Sequence, residues 1–257
     1  MTMRAMATAT ISFGLVTVPV KVYAATSSEA LSFNMITPAG NRVKQKLVDA
    51  VTGEYVERDE CLKGYEYAKD QFVTFTKEEL AKLDSENTKA IEIQEFVDAS
   101  SVNPLFIEKV YFLGPDKGGD RGYPLLAQTM AAMGRVAVAQ WTNRGRDHLV
   151  LIAPFEDGLC LYQCFYKDEV RSFDVEVAKL SMSKPEEVVA KKLVEMLSTV
   201  SFDPSKYHDR YAKRVKDAVE QKVAGKEVTV PAEAPKTSVL DLYEALKASL
   251  SAVEEKK

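Results

Sequence analysis

The chain has 257 residues, and its 34 lysines and arginines against 38 aspartates and glutamates give a formal net charge of −4. Hydrophobic residues make up 46% of the chain and charged residues 28%, which is typical of a soluble globular protein. Net acidity by itself argues against a nucleic-acid-binding domain, because such domains are usually basic. No stretch reaches the ~18–20 consecutive apolar residues of a membrane span, and the N-terminus lacks the apolar core of a secretory signal.

The strongest strand signal lies in residues 8–23. Apolar residues alternate over positions 11–15 and alternate again, in the opposite phase, over positions 16–22. Because side chains along a strand repeat every two residues, we expect a bulge or a sharp bend at Gly14 or its neighbours. Strands that bend in this way are typical of barrels.

Further short strands, separated by turns rich in Gly, Asp and Asn, predict a mainly antiparallel barrel or sandwich. These strands are expected at 31–36, 42–48, 54–57, 71–75, 89–97, 109–113, 135–141, 148–154 and 158–166. Two short helices interrupt them. Thr76 and Glu79 form a capping box that opens the first helix, and the second covers residues 124–133 and ends at Gly134.

Three cysteines, Cys61, Cys160 and Cys164, are too few and too odd in number for a disulfide framework. Cys160 and Cys164 lie four residues apart in a predicted strand, about 13 Å along it, which is too far for a bridge. We expect these two cysteines to be buried as small hydrophobic residues, and the protein to work in a reducing cytoplasm.

The chain becomes helical after about residue 180. Ser183 and Glu186 form a capping box, and an apolar stripe follows it. Asp203 is expected to start the next helix, which would carry Tyr207, Tyr211 and Val215 at a spacing of four. Residues 225–237 hold two prolines and predict a flexible linker, after which a last helix carries one continuous apolar stripe.

Signs of catalysis are scarce. His148 and His208 have no Cys or His neighbours at ligand spacing, so no metal site is predicted, and the chain contains no phosphate-binding glycine motif. The segment from Gly114 to Gly119 is expected to form a tight turn. Carboxylates within residues 156–174 could hold Mg²⁺ for hydrolysis, although acidic loops are usually just solvated. A Mg²⁺-dependent nuclease and a protein-interaction barrel that does not bind DNA therefore stay open as alternatives.

The acidity is concentrated in residues 51–100, while the windows on either side of it are positive. Arg42, Lys44 and Lys46 alternate along a predicted strand, which would place three cations ~6.6 Å apart on one face. A solvated strand face and a surface that tracks phosphates are equally compatible with this pattern. Two other basic groups lie on turns: Lys117 and Arg121 on a Gly-rich turn, and Arg144 and Arg146 at a hairpin tip.

Five motifs, in conserved order along almost the whole chain, resemble the bacterial Ku family, whose members bind DNA ends in non-homologous end joining. These motifs are ISFGLV and VPVKVY within residues 11–23, LKGYEY at 62–67, PDKGG at 115–119, VAVA at 136–139 and DLYEALKASL at 241–250.

This resemblance implies a mixed α/β fold, with a mainly antiparallel β-barrel core, an extended bridge segment and a C-terminal helical arm, assembled as a ring-shaped homodimer. The expected regions are a core with its DNA-encircling bridge (1–180), a dimerisation arm (181–224), a linker (225–237) and a partner-binding helix (238–257). The ring would thread double-stranded DNA ends in the bacterial nucleoid and recruit an ATP-dependent end-joining ligase, with no catalytic residue, cofactor or metal.

Carried over by position, the DNA-binding residues are expected to be Arg42, Lys44, Lys46, Arg58, Lys63, Lys117, Arg121, Arg144 and Arg146. The ligase-binding residues are expected to be Val239, Leu242, Tyr243, Leu246 and Leu250. The chain departs from some relatives in two respects. Asp49 and Thr52 stand where those relatives carry a Cys-x-x-Cys pair, and a Lys-rich tail is missing after Lys257, so we expect greater dependence on threading.

Overall fold

The computed structural model describes most of the chain, namely residues 3–28, 31–83, 89–143, 145–177, 183–226, 246, 247 and 249–251. The chain divides into two compact units. The first contains residues Met1–Glu29 and Phe33–Phe173, and the second contains Ala30–Ser32 and Asp174–Lys257. Within the described ranges, no helix is both long enough and apolar enough to cross a membrane.

The described residues of the first unit form eleven strands, numbered in chain order. They are β1 (Ala7–Phe13), β2 (Val16–Ala24), β3 (Leu47–Val48), β4 (Tyr55–Val56), β5 (Lys63–Ala68), β6 (Gln71–Phe75), β7 (Ala90–Asp98), β8 (Ile107–Pro115), β9 (Arg135–Asn143), β10 (Arg146–Phe155) and β11 (Gly158–Cys164). Seven of them form a closed barrel in the order β1, β2, β8, β11, β10, β9, β7. Its strand pairs are antiparallel except for β1 with β7, which is parallel. The predicted, mainly antiparallel barrel is thereby confirmed.

A segment that we call the bridge, residues 31–83, is inserted between β2 and β7. It contains two separate two-stranded sheets, β3–β4 and β5–β6, followed by helix α1 (Lys77–Leu83). Thr76 and Glu79 cap this helix as predicted, since each accepts a hydrogen bond from the other's backbone N–H. No residue of the bridge is buried.

The change of phase at Gly14 is a hairpin turn. Strands β1 and β2 pair antiparallel with Phe13 opposite Val16, so that Gly14 and Leu15 form a two-residue turn. Gly14 takes a φ of +56°, which this kind of turn requires and which glycine tolerates best. The prediction located the irregularity correctly, but a single bent strand over residues 8–23 was wrong.

Most other predicted strands are confirmed to within a few residues, and two are wrong. Residues 31–36 and 42–46 form no strand, apart from one isolated bridge between Ile36 and Arg42. A turn lies between them, in which the Thr37 N–H donates to the Asn41 carbonyl at 2.8 Å. Residues 42–46 alternate cations with only one apolar residue, so a strand there would have no apolar face to bury. Strand β5 was missed.

The barrel interior holds the main core. Its strands direct alternate apolar side chains inward, and residues such as Ile11, Ile152 and Leu161 have no exposed surface. Helix α2 (Gly122–Met133) packs over the barrel end at which β8 finishes and β11 begins. There the Tyr123 hydroxyl donates to the Leu113 carbonyl and accepts from the Leu159 N–H. As predicted, α2 ends at Gly134, which has a φ of +62°.

Both cysteines of β11 are buried, which confirms that prediction. Cys164 belongs to a second apolar cluster, together with Val136 and Leu151. Burial raises the pKa of the Cys160 thiol and raises that of Cys164 to about 11. Both thiols are therefore protonated at neutral pH, as expected of small hydrophobic residues, whereas Cys61 is exposed.

The second unit contains helices α3 (Lys184–Leu197) and α4 (Arg210–Val223), and neither has a buried residue. The Ser183 capping box of α3 is confirmed. The predicted start of the next helix at Asp203 is wrong, because a 3-10 turn (Pro204–Lys206) follows that residue and Asp209 caps α4. Residues 246, 247 and 249–251 are helical, while the rest of 238–257 and residues 227–237 of the predicted linker lie outside the described residues.

Candidate nucleic-acid interface

Eight of the nine cations predicted to contact DNA are described, and all eight are exposed. Arg144 lies outside the described residues. None of the eight forms an ion pair with a described carboxylate. Several other cations of the first unit are already neutralised by ion pairs 2.8–3.2 Å long: Lys21 with Asp116, Lys109 with Glu108, and Arg135 with Asp98. These eight predicted cations are therefore available to an anionic partner, since no described ion pair neutralises them.

The first basic group lies in the opening part of the bridge, where Arg42, Lys44 and Lys46 occur without an acidic residue between positions 31 and 48. The prediction placed these three residues on one face of a strand. It was wrong, because residues 42–46 form no strand. The Lys46 ammonium instead lies 4.7 Å from the centre of the Tyr55 ring, a cation–π contact that ties it to β4. The group is therefore a basic loop, anchored at one end by an aromatic ring.

A carboxylate organises the turn between β3 and β4. Asp49 Oδ1 accepts hydrogen bonds from the N–H groups of Thr52 at 3.0 Å and Val51 at 2.8 Å. These two bonds, that from Thr52 foremost, lower the pKa of Asp49 and keep it ionised at neutral pH. A hydrogen-bonded turn that contains Asp49 and Thr52 therefore connects the two strands.

The second basic group lines a cleft of about 950 Å³ in the bridge. Arg58 and Lys63, which were both predicted, meet there with Lys77, which was not. The Lys77 ammonium lies 3.5 Å from an Asp59 carboxylate oxygen, and both side chains are well exposed. In the sequence, Lys77 is recognisable only as the residue after a helix cap. Nothing in the sequence pattern indicated that it lies in this cleft.

The two remaining groups lie at opposite ends of the barrel. Lys117 and Arg121 lie between β8 and α2, at the end that α2 covers, whereas Arg146 begins β10 at the other end. The nine residues of β8 span the distance between these ends, which is about 26 Å at ~3.3 Å per residue. The structure therefore does not bring these cations together in one patch, and they cannot contact the same phosphate group.

The turn from Gly114 to Gly119 is tight, as predicted. The Asp116 carboxylate accepts from the Lys117 N–H at 2.8 Å and faces the Lys21 ammonium at 3.2 Å. The backbone hydrogen bond first, and then Lys21, lower the pKa of Asp116. The Gly119 N–H donates to the Asp116 carbonyl at 2.8 Å and closes the turn. The backbone that carries Lys117 is thus fixed while its ammonium group stays free.

Gly119→Ala should displace this turn. A Cβ at Gly119 would lie 2.5 Å from the Pro19 carbonyl oxygen, so the backbone must shift. We expect unfolding free energy to fall by about 1–3 kcal/mol, as for other overpacked sites, together with weaker DNA binding through Lys117 and Arg121. Thermal unfolding and a gel shift measure both effects. Gly64→Ala is the control, because its Cβ would meet Phe72 at 3.4 Å; equal effects of the two substitutions would contradict the prediction.

Comparison with known proteins identifies the family. Residues 12–195 match the family model described as the Ku70/Ku80 beta-barrel domain. The chain belongs to the Ku family. It is 39% identical to the non-homologous end joining protein Ku of Paraburkholderia phymatum, over 97% of this chain and 83% of the relative. The proteins of the same name from Koribacter versatilis and Archaeoglobus fulgidus are 38% and 35% identical, over 96% and 98% of this chain and 86% and 100% of theirs.

Ku proteins are DNA-binding repair proteins of non-homologous end joining and are not enzymes. Membership of the Ku family argues against the hypothesis of a Mg²⁺-dependent nuclease, which depended on carboxylates in residues 156–174. Glu156 belongs to the tight turn between β10 and β11 and has a φ of +49°. Among the residues that the structure describes, no three His, Cys, Asp or Glu side chains are grouped closely enough to hold a metal ion.

Proposed function

We propose that this Ku-family protein binds the ends of double-stranded DNA without sequence specificity, as a homodimeric ring that threads the end. It then recruits an ATP-dependent end-joining ligase in double-strand break repair. The observation that carries the proposal is the family match over residues 12–195, which spans both the barrel and the bridge. The unpaired cations of these two parts supply the chemistry.

Binding through the DNA backbone follows from the kind of side chain available. Lysine and arginine on turns and loops contact phosphates, which carry no sequence information. Cations about 26 Å apart at the two barrel ends are suited to separate points along a duplex, where phosphates recur every ~3.4 Å on each strand. Many weak contacts of this type add up, and a ring supplies the preference for ends through topology.

The bridge supports a dimer because it has no core of its own. Its two sheets have two strands each, and an isolated two-stranded sheet is marginally stable in water. Large apolar side chains remain exposed on them, with Tyr65 67%, Tyr67 61% and Phe72 59% accessible. A second copy of the chain would cover such residues and hold the bridge in one conformation.

Helix α4 supports a dimer in the same way. It has Tyr211, Val215, Val219 and Val223 at a spacing of four, which places them on one side of the helix. No residue of α4 is buried, and Tyr211 and Val223 are 58% and 84% exposed. An amphipathic helix gains most of its stability from packing its apolar face, so this stripe requires a partner surface. We assign that surface to the second copy.

Threading requires a free end, and this gives the experiment that tests the proposed function. We expect linear duplex to bind well, and a relaxed closed circle of the same sequence to bind at least about 100-fold more weakly, since only non-specific contacts remain. Competition in a gel shift measures the ratio. Cutting the circle once is the matched control and should restore binding. Equal competition by cut and closed circles would rule out threading.

The proposed ligase contact is the helix beyond the linker. Of its five predicted contact residues, Leu246 and Leu250 are described, and both are partly exposed in a helical segment. Val239, Leu242 and Tyr243 lie outside the described residues. In the helix that the sequence predicts, the spacing of these five apolar residues would place them on one face, which suits docking into a partner's groove.

Deletion of residues 238–257 should separate the two activities. We expect end binding to change less than about twofold, because the proposed DNA contacts all precede residue 147, while stimulation of the ligase is lost. A gel shift and a ligation assay on the same preparation measure both activities. The control exchanges Glu244 and Ser251 for alanine, because at 100° per residue both positions lie away from the apolar face. Loss of end binding or of folding on deletion would mean that this helix packs on the protein itself.

A further inference from the structure

A second concave site lies at the barrel end opposite α2. Here the first residues of β1 and the last residues of β9 surround a cleft of about 310 Å³. This volume lies at the lower limit of small-molecule sites. The cleft is lined by Met6, Ala7, Thr8, Val22, Lys89, Tyr111, Trp141, Thr142 and Asn143. None of the eight described cations assigned to DNA binding lines it.

The floor of the cleft is aromatic and rigid. Trp141 is 3% exposed and contacts Tyr111 edge to face, with ring centres 5.8 Å apart. No described residue accepts a hydrogen bond from the indole nitrogen of Trp141. Trp141 borders the cleft, so its indole N–H is a candidate hydrogen-bond donor to a ligand there.

The rim of the cleft is polar and cationic. Lys89 is exposed and takes a left-handed φ of +52°, and its carbonyl accepts from the Thr10 N–H at 3.0 Å, which fixes its backbone beside β1. Asn143 lines the cleft with Lys89, and none of the described lining residues is acidic. One side of the cleft is apolar through Met6 and Val22. A ligand must therefore combine an apolar or aromatic body with hydrogen-bond acceptors and negative charge.

We propose that this cleft binds one nucleotide, with its base against Trp141 and Tyr111 and its phosphate at Lys89. A nucleobase supplies a flat apolar body with acceptors at its edge for the Trp141 N–H, and a phosphate monoester supplies the charge. The size of the cleft admits one nucleotide rather than a strand. The ligand is either a free nucleotide or the unpaired last nucleotide of a 5′-phosphorylated DNA strand. This site goes beyond the proposed duplex binding, because it is a separate cleft that none of the described DNA-binding cations lines.

Trp141 is the single tryptophan of the chain and reports directly on the cleft. Titration of the full-length protein with dAMP, excited at the red edge of indole absorption, should give a saturable change in emission. Deoxyadenosine and inorganic phosphate, which each supply half of the ligand, should bind at least about tenfold more weakly. A duplex with a frayed 5′-phosphorylated end, compared with its 5′-hydroxyl form, distinguishes a DNA terminus from a free nucleotide as the source.

Lys89→Gln tests the assignment of the phosphate. We expect dAMP affinity to fall about tenfold, with an unchanged thermal unfolding midpoint. The control is Lys69→Gln, in the exposed β5–β6 turn, which should leave dAMP affinity unaltered. A response to the frayed 5′-phosphorylated end alone would identify the DNA terminus as the ligand and still support the site. The proposal fails if no probe gives a saturable response at millimolar concentration, or if Lys89→Gln binds dAMP normally. If the cleft does not bind a nucleotide, the proposed binding to duplex ends is unaffected. A gel shift on the same sample checks duplex-end binding separately.

Discussion

Replacing Arg42, Lys44 and Lys46 together with glutamate is expected to weaken binding to linear duplex by about 100-fold or more at low salt. These residues form the basic loop of the bridge, where no carboxylate neutralises them. The loss should be the same on every DNA sequence, because phosphates and not bases are contacted. Each lost phosphate contact also removes about 0.9 from the slope of log affinity against log salt, so the salt dependence becomes flatter. Gel shifts at several salt concentrations measure both quantities.

The control variant replaces three lysines that are already ion-paired with carboxylates by glutamate. Its net charge therefore changes by the same amount as in the bridge-loop variant. Lys109, Lys191 and Lys206 are ion-paired with Glu108, Glu187 and Asp203. Exposed pairs of this kind stabilise a protein by about 0–1 kcal/mol, so their exchange for glutamate should leave the fold and end binding largely intact. If both triple variants weaken binding alike, overall charge is responsible and the assignment of the bridge loop is wrong.

Introducing aspartate at both Val215 and Val219 is expected to convert the protein to a monomer at micromolar concentration. The two valines lie in the apolar stripe of α4, and a dimer would have to bury the new carboxylates without partners. Because a ring needs two copies, end binding should fall by about 100-fold or more as the two halves lose their mutual avidity. Light scattering after size exclusion gives the mass, and a gel shift gives the affinity.

The opposite face of α4 provides the matched control. At 100° per residue, Lys213 and Gln221 lie away from the stripe, so aspartate at both positions should leave the dimer intact. Circular dichroism must report the same helix content for both variants. A stable dimer with charged residues in the stripe would place the dimer interface elsewhere and refute the role given to α4.

The parts of the fold that the sequence predicted well depend on short-range chemistry. Capping boxes at Thr76 and Ser183 fix helix starts within a few residues, and Gly134 ends α2 because it accepts a left-handed conformation. Alternation of apolar residues identified the barrel strands because one of their faces is buried. In each case the responsible atoms lie within a few residues of each other.

The failures involve partners that are distant in sequence or interchangeable. A two-residue hairpin turn and a bulge both reverse the phase of an apolar pattern, so Gly14 alone could not distinguish them. Alternating cations at 42–46 imitate a strand face but lack apolar residues to bury. Asp209, and not Asp203, caps α4, although both residues are suitable capping residues.

The sequence identified which cations are candidates for DNA binding, and it could not arrange them. Whether a cation forms an ion pair depends on the folded chain, because pairs such as Arg135 with Asp98 join residues far apart in sequence. The separation of Lys117 from Arg146 follows from the direction of β8. Lys77 and Lys89 gained their positions in clefts through strand pairing, for which no local motif exists.

Closure of the barrel has a consequence for how the chain folds as it is synthesised. The parallel pair of β1 with β7 joins Ile11 to Ile91, about 80 positions apart, and the remaining strands extend to Cys164. At 5–20 residues per second, the β1–β2 hairpin waits on the order of ten seconds before its partners have been synthesised. Its valines at positions 18, 20 and 22, buried later, are exposed throughout that interval. In the proposed dimer, we expect assembly of the bridge with a second copy to follow as a slower step that depends on concentration.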